Sequence, residues 1–137
     1  MTKVLGLAHV GIAVRSLEEA VPLWVRSLGF RHVDTLDFES MKVRIAFLRA
    51  GSAELELLEP TSPDSPVGRF LEKRGEGMHH LSFLVPDLEW ALRDAEAAGL
   101  VLIDRSPREG SHGTKIAFVS PKGLTGVLVE LCEAGER

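Results

Sequence analysis

The sequence predicts an α+β fold in which two tandem βαβββ modules pack into one domain spanning residues 1–137. Three observations predict it. A histidine-bearing apolar strand leads to a helix cap seven residues later, at His9 and Ser16 and again at His80 and Asp87. Each helix stops at a glycine, Gly29 and Gly99. Each module ends on a matched strand, Leu55-Glu56-Leu57-Leu58-Glu59 and Val129-Glu130-Leu131-Cys132-Glu133. The His-to-Glu separation is 47 residues in the first module and 50 in the second. Such a fixed internal period marks a repeated unit. A module this small has an apolar sheet face it cannot cover alone, so the two should share one core.

The elements follow in order. Residues 4–14 (VLGLAHVGIAV) read as a buried strand. Ser16 and Glu19 form a capping box, and Leu17, Ala20, Val21, Trp24 and Leu28 recur at helical spacing. Pro22 lies inside that helix and should kink it or disturb its middle. Residues 31–37, 41–49 and 53–59 read as three strands separated by short turns. Residues 60–75 form a turn-rich linker with a short helix from Val67 to Arg74. The opening pattern then returns. Residues 78–85 (MHHLSFLV) are a strand, and Asp87 caps a helix from Leu88 to Ala98. Residues 100–104, 115–120 and 126–133 are strands, and 105–114 form a polar loop. The modules thus span 3–59 and 76–133.

Composition narrows the chemistry. Sixteen basic against 20 acidic residues give a net charge of −4, which argues against bulk-charge binding of nucleic acid. No apolar run reaches the roughly 18–20 residues of a membrane span. The N-terminus, Met1-Thr2-Lys3, enters a strand-like segment without a signal or transit peptide, so a soluble cytoplasmic protein is expected. A single cysteine excludes an internal disulfide and an all-cysteine zinc site. The chain has no Tyr, Asn or Gln, so chemistry falls to His, carboxylates, Lys/Arg, hydroxyls, one thiol and backbone groups. The missing amides also fit a thermophilic source.

Four residues recur in equivalent places: His9, Glu56, His80 and Glu130. A single histidine in an apolar strand is ordinarily a hydrogen-bonded core residue, and a single glutamate in a terminal strand ordinarily faces solvent. The same pair occurring twice in one frame points instead to a metal site. Two imidazoles and two carboxylates suit a divalent transition metal and balance its charge. Strand alternation places His9 with Gly11 and Ala13, and His80 with Ser82, so small residues leave room beside each imidazole. His79 then points to the other face in a structural role. His32 reads as a surface residue and Cys132 as a small buried one. Trp24 and Trp90 read as packing residues. His112 reads equally as a lining of a pocket mouth or part of a solvated loop.

These motifs resemble the vicinal-oxygen-chelate superfamily, the glyoxalase/bleomycin resistance/dioxygenase proteins. Within it they resemble the methylmalonyl-CoA epimerase family across nearly the whole chain. The specific segments are His9 to Val14, Glu56 to Pro60 running into Ser65-Pro66, Phe70 to Lys73, Gly75 to His80, His112-Gly113 and Gly126 to Leu131. The resemblance implies a glyoxalase-like curved mixed sheet enclosing a metal site. It implies a divalent cobalt, zinc or manganese ion held by His9, Glu56, His80 and Glu130. The family uses Gln or Glu at the position of Glu56. It also implies an acyl-CoA substrate and a homodimer, with neither nucleic acid nor membrane as partner. Epimerases place an acid/base glutamate shortly before the third strand, and Glu39 is the nearest match, although Ser40-Met41-Lys42 replaces a shorter stretch there. Pro22 is a second departure from the family pattern.

The implied reaction interconverts the epimers of methylmalonyl-CoA through a metal-stabilised enolate. A proton leaves one face of the α-carbon and returns on the other, which calls for two acid/base groups. Glu39 and Glu130 are the candidates, Glu130 serving also as a metal ligand. The alternatives are a glyoxalase I-type lyase and a non-catalytic small-molecule-binding member of the same superfamily.

Overall fold

The computed structural model describes residues 4–135. The N-terminal Met1-Thr2-Lys3, on which the absence of a leader and the start of the first module were read, lies outside the described residues. The described residues divide into two compact units, one of residues 9–79 and one of residues 4–8 with 80–135.

The first unit contains β1 from His9 onward (Gly6–Ala13), α1 (Leu17–Leu28), β2 (Arg31–Phe38), β3 (Val43–Ala50), β4 (Ala53–Pro60) and α2 (Pro66–Arg74). Its strands lie in the order β2-β3-β4-β1. β1 and β4 run parallel with Gly11 opposite Glu56, and the other pairs are antiparallel. Side chains alternate between two cores as the strand period requires. Leu17 and Ala20 of α1 pack with Ala46, Leu48 and Leu57 on one face. Val67 and Leu71 of α2 pack with Ala13, Val43, Ile45 and Leu58 on the other. Leu48 and Leu57 are 1% and 0% exposed, each stabilising the fold by about 2 kcal/mol relative to exposure.

Ser16 caps α1, its hydroxyl accepting the Glu19 N–H at 3.2 Å. The helix ends as expected in a left-handed Gly29, with Gly29 N–H bonded to the Val25 carbonyl and Phe30 N–H to that of Trp24. Trp24 and Phe30 seal that end edge-to-face, ring centroids 5.6 Å apart. α1 runs through Pro22 as one helix without a break. The proline removes a bond to the Glu18 carbonyl, and Glu18 is exposed, so water can satisfy that acceptor.

The second unit contains β5 from His80 onward (Gly77–Val85), α3 (Leu88–Ala97), β6 (Arg108–Glu109), β7 (Lys115–Val119) and β8 (Val129–Glu133). Its strand order is β5-β8-β7-β6. β5 and β8 run parallel with Ser82 opposite Glu130, and Phe118 of β7 faces Glu130 from the other side. Leu88, Ala91 and Leu92 of α3 pack with Val85, Ala117, Val119, Val129 and Leu131. βαβββ order therefore recurs in both units, as the repeat predicts.

Three local expectations are corrected. Residues 100–104 are not a strand; Leu102 makes only an isolated bridge to Val119. The N–H groups of Ile103 and Asp104 both converge on the Phe118 carbonyl, while the Asp104 carboxylate takes the Phe118 N–H at 2.8 Å. The Asp104 side chain thus takes the amide that would extend the backbone pairing. The loop 105–114 is partly ordered into β6 and a helical turn at Ser111–Gly113. Trp90 is 53% exposed, with the Arg93 guanidinium 5.4 Å over its ring, so it is not a core residue.

One tie occurs twice. The Leu17 N–H donates to Glu59 Oε1 at 2.7 Å, and the Leu88 N–H donates to Glu133 Oε1 at 3.1 Å. In each unit a carboxylate from the last strand satisfies the first free amide of the first helix and favours its positive end. These glutamates lie three residues beyond Glu56 and Glu130, on the opposite strand face.

Candidate metal centre

In the first unit the parallel register brings His9 and Glu56 together. His9 Nδ1 lies 3.1 Å from Glu56 Oε2, and both side chains are 13% exposed. Gly11 and Ala13 continue the His9 face, and Phe47 stands across from Glu56. Burial pushes the His9 imidazole down to about 4, with the Glu54 charge opposing. His9 is therefore neutral near pH 7, the form that ligates metals.

In the second unit the equivalent register brings His80 and Glu130 to 4.0 Å. Their side chains are 5% and 9% exposed. Ser82 Oγ donates to Glu130 Oε1 at 2.7 Å. The His80 ring stands edge-on to Phe118, centroids 5.8 Å apart. Burial pushes Glu130 up to about 7, opposed by the Ser82 hydrogen bond and the Arg108 charge. A cation beside Glu130 would offset the cost of burying its carboxylate. On donor chemistry, each pair fits a divalent transition metal: one imidazole nitrogen and one carboxylate held within a few ångströms.

Glu39 joins neither pair. It is exposed, in the turn Glu39–Met41 between β2 and β3, and its carbonyl accepts the Lys42 N–H at 3.0 Å. The register Phe38–Val43–Pro60 sets this turn level with the end of β4. His79 stacks edge-on to Phe70, centroids 5.1 Å apart. His32 is exposed and bonds Thr35 Oγ1 at 2.6 Å, as a surface residue should. His112 is exposed with φ 55. Cys132 is half-buried rather than buried. Sequence reasoning missed Phe118, Asp104 and Arg108 around the second pair. Phe47 and Phe118 face the two glutamates at the same register, a repeat that the alignment of modules could have revealed.

Burial also pushes His79 down to about 4. A histidine that stays neutral when folded but protonates near 6.5 when unfolded gives stability that is full above about pH 6.5 and lost as pH falls toward 4. His79→Phe is expected to flatten this acid-side loss by up to about 3 kcal/mol. Urea midpoints from pH 4 to 7 measure it; an unchanged slope refutes it.

Residues 8–118 match the Glyoxalase/Bleomycin resistance protein/Dioxygenase superfamily. The uncharacterized protein YqjC of Bacillus subtilis is 50% identical over 129 residues, covering 93% of this chain and 91% of that protein. The ethylmalonyl-CoA/methylmalonyl-CoA epimerase of Cereibacter sphaeroides is 38% identical over 128 residues, covering 91% of this chain and 95% of that enzyme. A solved methylmalonyl-CoA epimerase in complex with methylmalonyl-CoA and NH4+ is 36% identical with a TM-score of 0.92, covering 97% of this chain and 96% of that one. On this likeness across nearly its full length, the chain belongs to the glyoxalase/bleomycin resistance/dioxygenase superfamily and, within it, to the methylmalonyl-CoA epimerase family.

Proposed function

We propose that this protein epimerises methylmalonyl-CoA with the help of one divalent metal ion. The observation that carries the reading is the doubled His–Glu pair. Each pair sits on the first and last strands of its module at the same parallel register, in a chain of the epimerase family. His9, Glu56, His80 and Glu130 would hold the ion, cobalt, zinc or manganese, the two modules acting as one domain of residues 1–137. The ion supplies positive charge to the oxygens of the substrate's carboxylate and thioester.

The residues of the chain move the proton. One carboxylate takes the α-proton; the electron pair left behind delocalises into the thioester carbonyl. A second carboxylate returns a proton to the opposite face, inverting the centre. Glu39 and Glu130 fill these roles in this reading. Burial alone pushes the Glu130 carboxyl up to about 7, and a bound ion would bring it down again, so the same group can accept a proton while it serves as a ligand. The reading also includes a homodimer working in the cytoplasm. No helix among the described residues is long and apolar enough to cross a membrane.

Proton NMR of methylmalonyl-CoA in deuterated water with added metal tests the function. The expected result is loss of the α-proton signal and collapse of the methyl doublet. Protein that leaves the α-proton untouched but consumes the glutathione hemithioacetal of methylglyoxal overturns the reading in favour of a glyoxalase I-type lyase.

A further inference from the structure

The second unit carries a cation that the metal-site reading does not use. Strand register places it. Arg108 of β6 stands opposite Ile116 of β7. Phe118, two residues on, stands opposite Glu130 of β8, which stands opposite Ser82 of β5. Cross-strand partners project to the same side, as do residues two apart. Arg108, Ile116, Phe118, Glu130, Ser82 and His80 therefore share one face of this sheet. The opposite face is the one covered by α3.

Arg108 is also held in place. Its Cζ lies 5.2 Å above the Phe118 ring. Its Nε lies 3.3 Å from Asp104 Oδ2, the same carboxylate oxygen that accepts the Phe118 N–H. Asp104 is thus tied to β7 and cannot follow the arginine if it swings away. The side chain remains 41% exposed. The Asp104 contact engages Nε and leaves the terminal nitrogens of the guanidinium for another partner. A planar fork stacked on an aromatic ring, with its far edge open, is suited to a carboxylate or phosphate.

We propose that Arg108 determines specificity by pairing with an anionic group of the acyl-CoA substrate. The inference rests on the epimerase reading, and it accounts for how a chain of net charge −4 receives a polyanion. Two anions of the substrate share the needed chemistry: the carboxylate on the α-carbon and the phosphates of the CoA portion.

Arg108→Met keeps an apolar stem over Phe118 and removes the charge; Arg108→Lys restores charge without the fork. With methylmalonyl-CoA, the Met variant is expected to raise KM about 10–100-fold, as loss of a charge-assisted hydrogen bond predicts, with kcat within about threefold. The Lys variant should fall between. Methylmalonyl-pantetheine, which lacks the phosphates, separates the sources. A phosphate partner leaves its KM unmoved by Arg108→Met and weakens inhibition by free CoA. A carboxylate partner raises its KM as well and leaves inhibition by CoA unchanged. An unmoved KM for both thioesters, or a fall in kcat alone, overturns the role of Arg108 while the epimerase reading stands. Wild-type protein with no α-proton exchange overturns both together.

Discussion

Glu130→Gln is expected to lose metal and α-proton exchange together, with the rate falling at least about 10³-fold. The glutamine matches the carboxylate in shape, and its amide oxygen can still accept the Ser82 hydroxyl, now 2.7 Å from Glu130 Oε1. The variant should therefore fold. Its metal-free form should melt no lower than the wild type, because a neutral group replaces a carboxylate that burial disfavours. What is lost is the negative ligand and the proton carrier. Cobalt titration followed by absorbance, thermal melting without metal, and exchange in deuterated water read the three effects separately. A variant that binds cobalt as tightly as wild type and exchanges at its rate removes Glu130 from the centre.

Glu39→Gln should behave differently. Exchange is expected to fall about 10²–10⁴-fold, the worth of a general acid/base, while cobalt affinity stays unchanged. The residue is exposed on a turn and belongs to neither His–Glu pair, so stability should move by no more than about 0.5 kcal/mol. The pattern sought is a loss of chemistry at full metal loading. Exchange at the wild-type rate would show that another group takes the proton.

What the sequence disclosed, it disclosed through repetition and local chemistry. Ser16 and Asp87 could be read as caps because a short polar side chain before an amphipathic run has few other uses, and both accept the expected amide. His9 and Glu56 could be paired because period-two alternation is fixed by the backbone and the same pair returns as His80 and Glu130. Non-local competition was not legible. Residues 100–104 have a strand's composition, yet Asp104 captures the Phe118 amide that a ladder would need. Trp90 sits beside an apolar stripe, but it is half exposed with the Arg93 guanidinium over its ring. Arg108 is one of 11 arginines, and nothing in its neighbours along the chain announces that Phe118 and Asp104 will hold it on the Glu130 face. Pro22 reads as a kink or disturbance because propensity ignores an exposed carbonyl that water can serve.

The doubled carboxylate tie has a consequence for how the chain acquires its structure. Glu59 reaches back 42 residues to the amide of Leu17, and Glu133 reaches back 45 to that of Leu88. Neither helix has its start fully satisfied until the last strand of its own module has arrived. As the chain leaves the ribosome, the tie on α1 can close only once β4 has emerged, and the tie on α3 only once β8 has emerged. Contacts this distant in sequence slow the search, because loop closure must come before they form. A nascent chain halted before Glu59 or Glu133 would leave that helix start open, so the latch that finishes each module is among the last parts of it to be synthesised.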